Sequence, residues 1–167
     1  MKRVILAYGV LLLAAVPLCA QNVELAGAGG LGVGTVQERD RSFATGRGAS
    51  LGWLSEGIHG VKFDYLFVNI RRDRYYRHLL TGSYVVQRRS GQSRPFVEIG
   101  AGLMYIKWKD VLNPAGAGDA HDFVGSLGGG VTMDLGRSLF LRPQVRTYWY
   151  AGPTFVVLPM ISVGLRF

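Results

Sequence analysis

Between residues 94 and 107 the chain alternates with a period of two. Val97, Ile99, Ala101, Leu103 and Tyr105 share one parity, and Glu98, Gly100 and Gly102 the other. Successive side chains of a β-strand point to opposite faces, so this segment reads as a strand with one apolar face. The pattern recurs along the chain. Val61, Phe63, Tyr65 and Phe67 oppose Lys62 and Asp64, and Phe123, Leu127, Val131, Met133 and Leu135 oppose Asp122, Ser126, Gly128, Gly130, Thr132 and Asp134. Leu139, Leu141, Val145 and Trp149 oppose Arg142, Gln144, Arg146 and Tyr148. Near the start, Val23, Leu25, Leu31 and Val33 oppose Glu24, Ala26, Ala28, Gly30 and Gly32. Two segments alternate less clearly, with Ala49, Leu51 and Trp53 in one, and Leu80, Tyr84 and Val86 in the other, as the apolar faces.

Turn signals divide the chain into eight predicted strands, at about 22–34, 44–54, 57–69, 75–87, 94–107, 121–134, 138–150 and 154–167. Each is long enough to cross a bilayer as a tilted strand, which takes about 9–11 residues. The 24 glycines disfavour helices. The first connection, Thr35 to Phe43, is predicted to be long and charged, and the fifth, Trp108 to Ala120, is the longest. The second, at Ser55-Glu56, and the sixth, around Leu135 to Arg137, are predicted to be tight. Longer loops on one side and shorter turns on the other suit an up-and-down barrel with both termini on the short-turn side.

Alternation alone fits both a soluble sandwich and a membrane barrel. The aromatic residues near strand ends (Trp53, Tyr75, Tyr76, Tyr105, Trp108, Trp149 and Tyr150) favour the barrel, because interfacial girdles look like this. So do the small residues on the polar faces, which suit a crowded interior. The apolar positions named above include no charged residue, and a charge facing lipid at mid-membrane costs about 2–4 kcal/mol. Residues 154–167 set Phe155, Val157, Ile161, Val163, Leu165 and Phe167, with Pro159 among them, against Thr154, Ser162, Gly164 and Arg166, which are mixed with Val156, Leu158 and Met160. This strand, ending on Phe167, resembles the closing strand of bacterial outer-membrane barrels. The whole of 21–167 resembles small eight-stranded barrels of the opacity-protein and outer-membrane-protein-A type. The expected fold is therefore all-β: an eight-stranded, antiparallel, up-and-down transmembrane β-barrel. The resemblance implies that Phe167 acts as a C-terminal signal read by the barrel-insertion machinery.

Residues 1–20 read as a signal peptide: Lys2 and Arg3, an apolar run from Val4 to Val16, then a cleavage point after Ala20. The run is too short for a transmembrane helix, which needs about 20 residues. Cys19 is preceded by Leu18, where a lipoprotein signal wants a small residue. It is the one cysteine of the chain, so a protein cleaved after Ala20 has no disulfide and no thiol chemistry. The domain division is then 1–20 as leader and 21–167 as barrel, located in the bacterial outer membrane.

An eight-stranded barrel is just wide enough for side chains to fill. Glu24, Lys62, Asp64, Glu98, Asp122, Arg142, Arg146 and Arg166 are the charged residues expected to point inward. Buried charges need partners. The resemblance implies a network of ion pairs across the lumen, with Glu98 expected to meet Arg142 or Arg146. The alternative reading is a narrow ion path through the same groups.

No catalytic or metal constellation emerges. His121 and Ser126, like His78 and Ser83, lie five residues apart on one strand and so on opposite faces. His59 falls near a predicted turn. The match of residues 27–32 to G-x-G-x-x-G lacks the following helix that a nucleotide site requires. No cofactor is expected. The net charge is +8, and Arg71, Arg72, Arg74 and Arg77 cluster with Tyr75 and Tyr76. In an exported protein the run reads either as a solvated loop or as a contact with the phosphates of outer-membrane lipid and lipopolysaccharide, rather than as a nucleic-acid site. The function expected is a non-enzymatic, monomeric outer-membrane barrel with a structural or surface-interaction role and a polar, ion-paired lumen. The alternatives are a narrow pore or small-ligand transport barrel, and a soluble periplasmic lipocalin-like binding barrel.

Overall fold

The computed structural model describes residues 22–36, 40–55, 58–71, 75–88, 92–108, 120–150 and 155–167. The leader at 1–20, Arg72 and Arg74 lie outside the described residues. Eight strands follow one another: β1 Asn22–Val36, β2 Asp40–Ser55, β3 His59–Ile70, β4 Tyr75–Gln87, β5 Ser93–Trp108, β6 Ala120–Asp134, β7 Leu139–Tyr150 and β8 Phe155–Arg166. Each pairs antiparallel with its sequence neighbour, and β1 pairs with β8, so the sheet closes into a barrel without a crossover. The last residue joins the closure: Phe167 and Val23 exchange backbone hydrogen bonds of 2.9 and 3.1 Å.

The first hairpin departs from expectation. Thr35 to Phe43 was expected to be loop, yet the ladder runs on to Val36 opposite Asp40. Apolar alternation fades there because a strand that rises out of the hydrocarbon no longer needs a greasy face. Backbone pairing and Thr35, whose Oγ1 accepts from the Phe155 N–H at 2.9 Å, hold it instead.

The outer face is apolar around the circumference. Leu25, Leu31, Val97, Ile99, Leu103, Phe123, Leu127, Val145, Ile161 and Val163 are all exposed. A soluble lipocalin-like barrel would hide these groups, and here they face out, as lipid-facing positions do. The aromatic girdle is smaller than expected. Trp53 packs edge-on against Phe63, with centroids 5.8 Å apart, and Tyr76, Tyr105 and Trp149 face outward. Tyr150 does not: it is buried in the barrel, because neighbours 149 and 150 must point to opposite faces. Tyr75 shares the inward parity of Arg77.

Two prolines shape the wall. The β1–β8 ladder is interrupted at Leu31 and Gly32, beside Pro159, and the β6–β7 ladder at Val131 and Thr132, beside Pro143. A proline has no N–H to donate, so each break falls where a donor is missing. Neighbouring strands press close at these points. A Cβ on Gly32 would lie 1.9 Å from the Val157 carbonyl oxygen, and one on Gly130 would lie 2.2 Å from that of Pro143. Gly27, on the outer face, has nothing within 4 Å of that position.

Gly32→Val and Gly130→Val should each destabilise the barrel by about 1–3 kcal/mol or more. Gly27→Val should change stability by no more than about 0.5 kcal/mol. Urea titrations of the refolded barrel, read by heat-modifiable gel mobility, check this. Equal midpoints for all three variants would contradict the close approach.

Candidate functional site: a divided lumen

The strands send two different sets of side chains inward. On the side of the chain termini the lumen is charged. Lys62 and Asp64 come from β3, Glu98 from β5 and Arg146 from β7, and all four are buried. Arg146 donates from Nη2 to Asp64 Oδ2 at 2.8 Å and from Nη1 to the Tyr148 hydroxyl at 3.0 Å. Its Nε is paired with Glu98 Oε1, and Lys62 Nζ with Glu98 Oε2. Lys62 also lies 3.7 Å from Asp64. Two acids thus meet two bases, and the cluster is electrically balanced.

A second cluster lies nearer the end of the barrel. Glu24 accepts from Arg142 and from Arg166, whose Nε lies 2.9 Å from Glu24 Oε1. Arg166 reaches Asp134 at 2.9 Å, and Arg94 is paired with the same carboxylate. Arg142 also donates from Nε to Thr132 Oγ1 at 2.8 Å. Aromatic rings pack against the cations: Arg142 lies 4.7 Å from the Phe140 centroid and 5.3 Å from that of Phe96. Gln144 donates to Ser162 at 3.0 Å between the clusters.

On the loop side most inward side chains are apolar, with Arg77 and Ser42 as polar exceptions. Leu66, Val68 and Ile70 from β3, Leu79 from β4, Met104 from β5, Val124 from β6, Tyr148 and Tyr150 from β7, and Val156, Leu158 and Met160 from β8 form one buried cluster. Val68, Ile70, Val124, Val156 and Leu158 are wholly inaccessible to solvent. The charged set expected for the lumen fills its terminus-side part, and a mainly aliphatic layer lies toward the loops.

The expected site residues fall as follows. Glu24, Lys62, Asp64, Glu98, Arg142, Arg146 and Arg166 come together in the two clusters. Asp122 does not join them. It sits at the loop-side end of β6, where its Oδ1 accepts from the Phe123 N–H at 3.0 Å. Arg71 is exposed on the turn after β3. Arg77 is not: its guanidinium is turned into the barrel, 5.8 Å from the Tyr150 centroid. The parity of β4 decides this, since Arg77 alternates with outward-facing Tyr76 and His78. Arg94, Asp134 and Tyr148 were missed as partners. Asp134 and Tyr148 lie on the polar parity of their strands, and that was the available signal.

The histidines lie outside the lumen. His78 Nδ1 is 2.7 Å from the Tyr65 hydroxyl and His59 Nδ1 is 2.7 Å from that of Tyr84, both on the outer face. Ser83 and Ser126 are buried inside. The barrel wall thus separates His78 from Ser83 and His121 from Ser126. Among the described residues no group of three His, Cys, Asp or Glu side chains could hold a metal ion.

Solved structures share this arrangement of strands. The N-terminal β-barrel domain of Pseudomonas aeruginosa OprF superimposes with a TM-score of 0.66 at 15% identity, covering 89% of this chain and 98% of that one. Neisserial surface protein A gives a TM-score of 0.70 at 11% identity, over 87% of this chain and 97% of that one. The fold is that of a small eight-stranded outer-membrane β-barrel. The attachment invasion locus protein Ail of Yersinia pestis matches as well, with a TM-score of 0.63 at 11% identity over 87% of this chain and 98% of that one. No family model and no curated protein matches the sequence.

Removing one member of a buried ion pair leaves an uncompensated charge, which costs about 3–5 kcal/mol. Glu98→Gln strips Lys62 and Arg146 of a shared partner and should destabilise the barrel by that amount. Lys62→Met combined with Glu98→Gln leaves Arg146 balanced by Asp64, and should cost less than the sum of the single changes. A double-mutant cycle in urea measures the coupling, and strict additivity would contradict the pairing.

Proposed function

We propose that this chain is an integral protein of the bacterial outer membrane whose barrel is closed to solutes. Its role is structural or interactive, carried by the outer wall and the loops, and it is not an enzyme. The supporting observation is the combination of a greasy exterior with a filled interior. Leu25, Val97, Phe123 and Val163 turn outward. Inside, the Lys62–Glu98–Arg146–Asp64 cluster lies beneath the wholly buried layer of Val68, Ile70, Val124, Val156 and Leu158. Buried charges in balanced pairs specify closure and register, and an aliphatic layer above them opposes the entry of ions. A transport barrel of the same size would need a continuous polar path or a void, and the apolar layer argues against both.

In this reading the partners are the surrounding lipid, with outer-leaflet phosphates held by Arg71 and by Arg72 and Arg74 if they reach it. The barrel-insertion machinery reads Phe167, which is exposed at the end of the closing strand. The protein acts as a monomer.

Fractionated cells should carry the protein in the outer membrane, and it should migrate faster unheated than boiled. Purified protein in a planar bilayer should add no steady conductance at either polarity. A soluble periplasmic protein would refute the location, and a stable single-channel step would refute the closed lumen.

A further inference from the structure

The outer wall is not uniformly greasy. Toward the loop side of β2–β5, successive outward positions are polar, aromatic or cationic. The ladder sets Thr45 opposite Asn69, Asn69 opposite Tyr76, and Tyr76 opposite Lys107. One step lower, Arg47 stands opposite Phe67, and Phe67 opposite His78. One step higher, the Arg71 N–H donates to the Phe43 carbonyl at 2.9 Å and continues the ladder. Thr45, Gly46, Arg47, Phe67, Asn69 and Tyr76 line a cleft of about 550 Å³ in this wall.

Arg47 is the unexpected member. It is exposed on the outward parity of β2, above Ala49, Leu51 and Trp53. An arginine facing hydrocarbon is costly, whereas at headgroup depth the cost falls to about 0–1 kcal/mol. Its guanidinium lies 5.1 Å from the Phe67 centroid, which orients the fork. It has no acidic partner among the described residues. Asn69 Oδ1 is buried in the same wall without a hydrogen-bond partner. Phe67 and Tyr76 are ring neighbours, with centroids 5.3 Å apart. Arg71 and Lys107 are exposed above and beside this cleft. The described part of this outer wall holds four exposed cations, Arg41, Arg47, Arg71 and Lys107, and no carboxylate.

We propose that the cleft centred on Arg47 is a binding site for a phosphorylated glycolipid headgroup of the outer leaflet. Arg47 clamps one phosphate through its fork, and Lys107 meets a second across the sheet. Strands lie about 4.8 Å apart, so β2 and β5 are about 14 Å apart across the sheet, and Arg47 lies two residues below the row of Lys107, a span that suits a headgroup with a phosphate at either end. Thr45, Asn69 and the Tyr76 ring are placed to meet sugar hydroxyls and faces between them. The site lies on the wall of the barrel and differs from the arginine-rich third loop. It rests on the membrane reading above.

The test uses full-length mature protein in phosphatidylcholine nanodiscs doped with diphosphoryl or monophosphoryl lipid A, with bound lipid counted by native mass spectrometry. Heat-modifiable mobility checks each variant's fold. Wild type should retain diphosphoryl lipid A over phosphatidylcholine and over the monophosphoryl form. Arg47→Gln should lose this retention by about tenfold, and Arg47→Lys should lose part of it. Arg88→Gln, exposed at the opposite end of the barrel, should match wild type. Lys107→Gln, on a different strand, provides the same readout if Arg47→Gln fails to insert. Folded Arg47→Gln or Lys107→Gln protein that holds diphosphoryl lipid A as wild type does would overturn the site, as would equal retention of both forms by wild type. Protein that never enters the nanodisc would overturn the membrane reading instead, and is recognised by its absence from the disc.

Discussion

Pairing of β1 with β8 is the constraint on which the rest of the molecule depends. Hydrocarbon offers no partner to a bare N–H or carbonyl, so a sheet in a bilayer must have no edge. Once eight strands close, the interior is narrow and must be filled by whatever the inward parity supplies. Nearly everything else in the structure answers one of two demands that closure creates: greasy groups outside and a packed centre inside.

The packed centre is met in two ways. Near the termini, Arg146, Lys62, Asp64 and Glu98 neutralise one another, and Glu24 and Asp134 hold Arg142, Arg166 and Arg94. Toward the loops, leucine, valine, isoleucine and tyrosine side chains pack as the core of a soluble domain would. The first half fixes register, since a one-residue slip would drive charges into lipid and leave their partners alone. The second half supplies density. A barrel needing only closure could use either, and using both makes a plug with a polar floor and a dry cap.

The exterior carries a comparable division. From β7 through β8 to β1, the outward positions are mostly Val, Leu, Ile, Pro and Gly, with Thr147, Trp149 and Phe155 near the top. Across β2 to β6 the upper wall is instead Arg47, Thr45, Asn69, Tyr76, His78, Tyr105, Lys107 and His121. A cylinder in a uniform bilayer would have no reason to differ from side to side. The asymmetry is the feature of this barrel that most invites a specific neighbour, and the guanidinium of Arg47, without an acidic partner among the described residues, marks where that neighbour's charge would lie in the proposed site.

Strand number, strand parity and the outward set were legible in the chain, because a period of two survives wherever one face must be apolar. The eight predicted segments and the eight observed strands differ mainly at their ends, most of all in the first hairpin, where Thr35 and Phe43 prolong strands beyond the greasy belt. Glu98 was expected to meet Arg142 or Arg146, and it meets Arg146. The other inward partnerships were not legible: Arg166 and Arg94 share Asp134, and Arg77 lies inside although its sequence neighbours are loop-like and basic. Alternation assigns a side chain to a face from its neighbours along the chain. Depth and partnership depend on strand tilt and closure, which no local pattern encodes. The sequence alone therefore determined that this chain makes a two-faced sheet of eight strands. Only the closed tertiary structure decided that the interior divides into a charged part and a mainly aliphatic part, and that Arg47 on the outer wall has no acidic partner among the described residues.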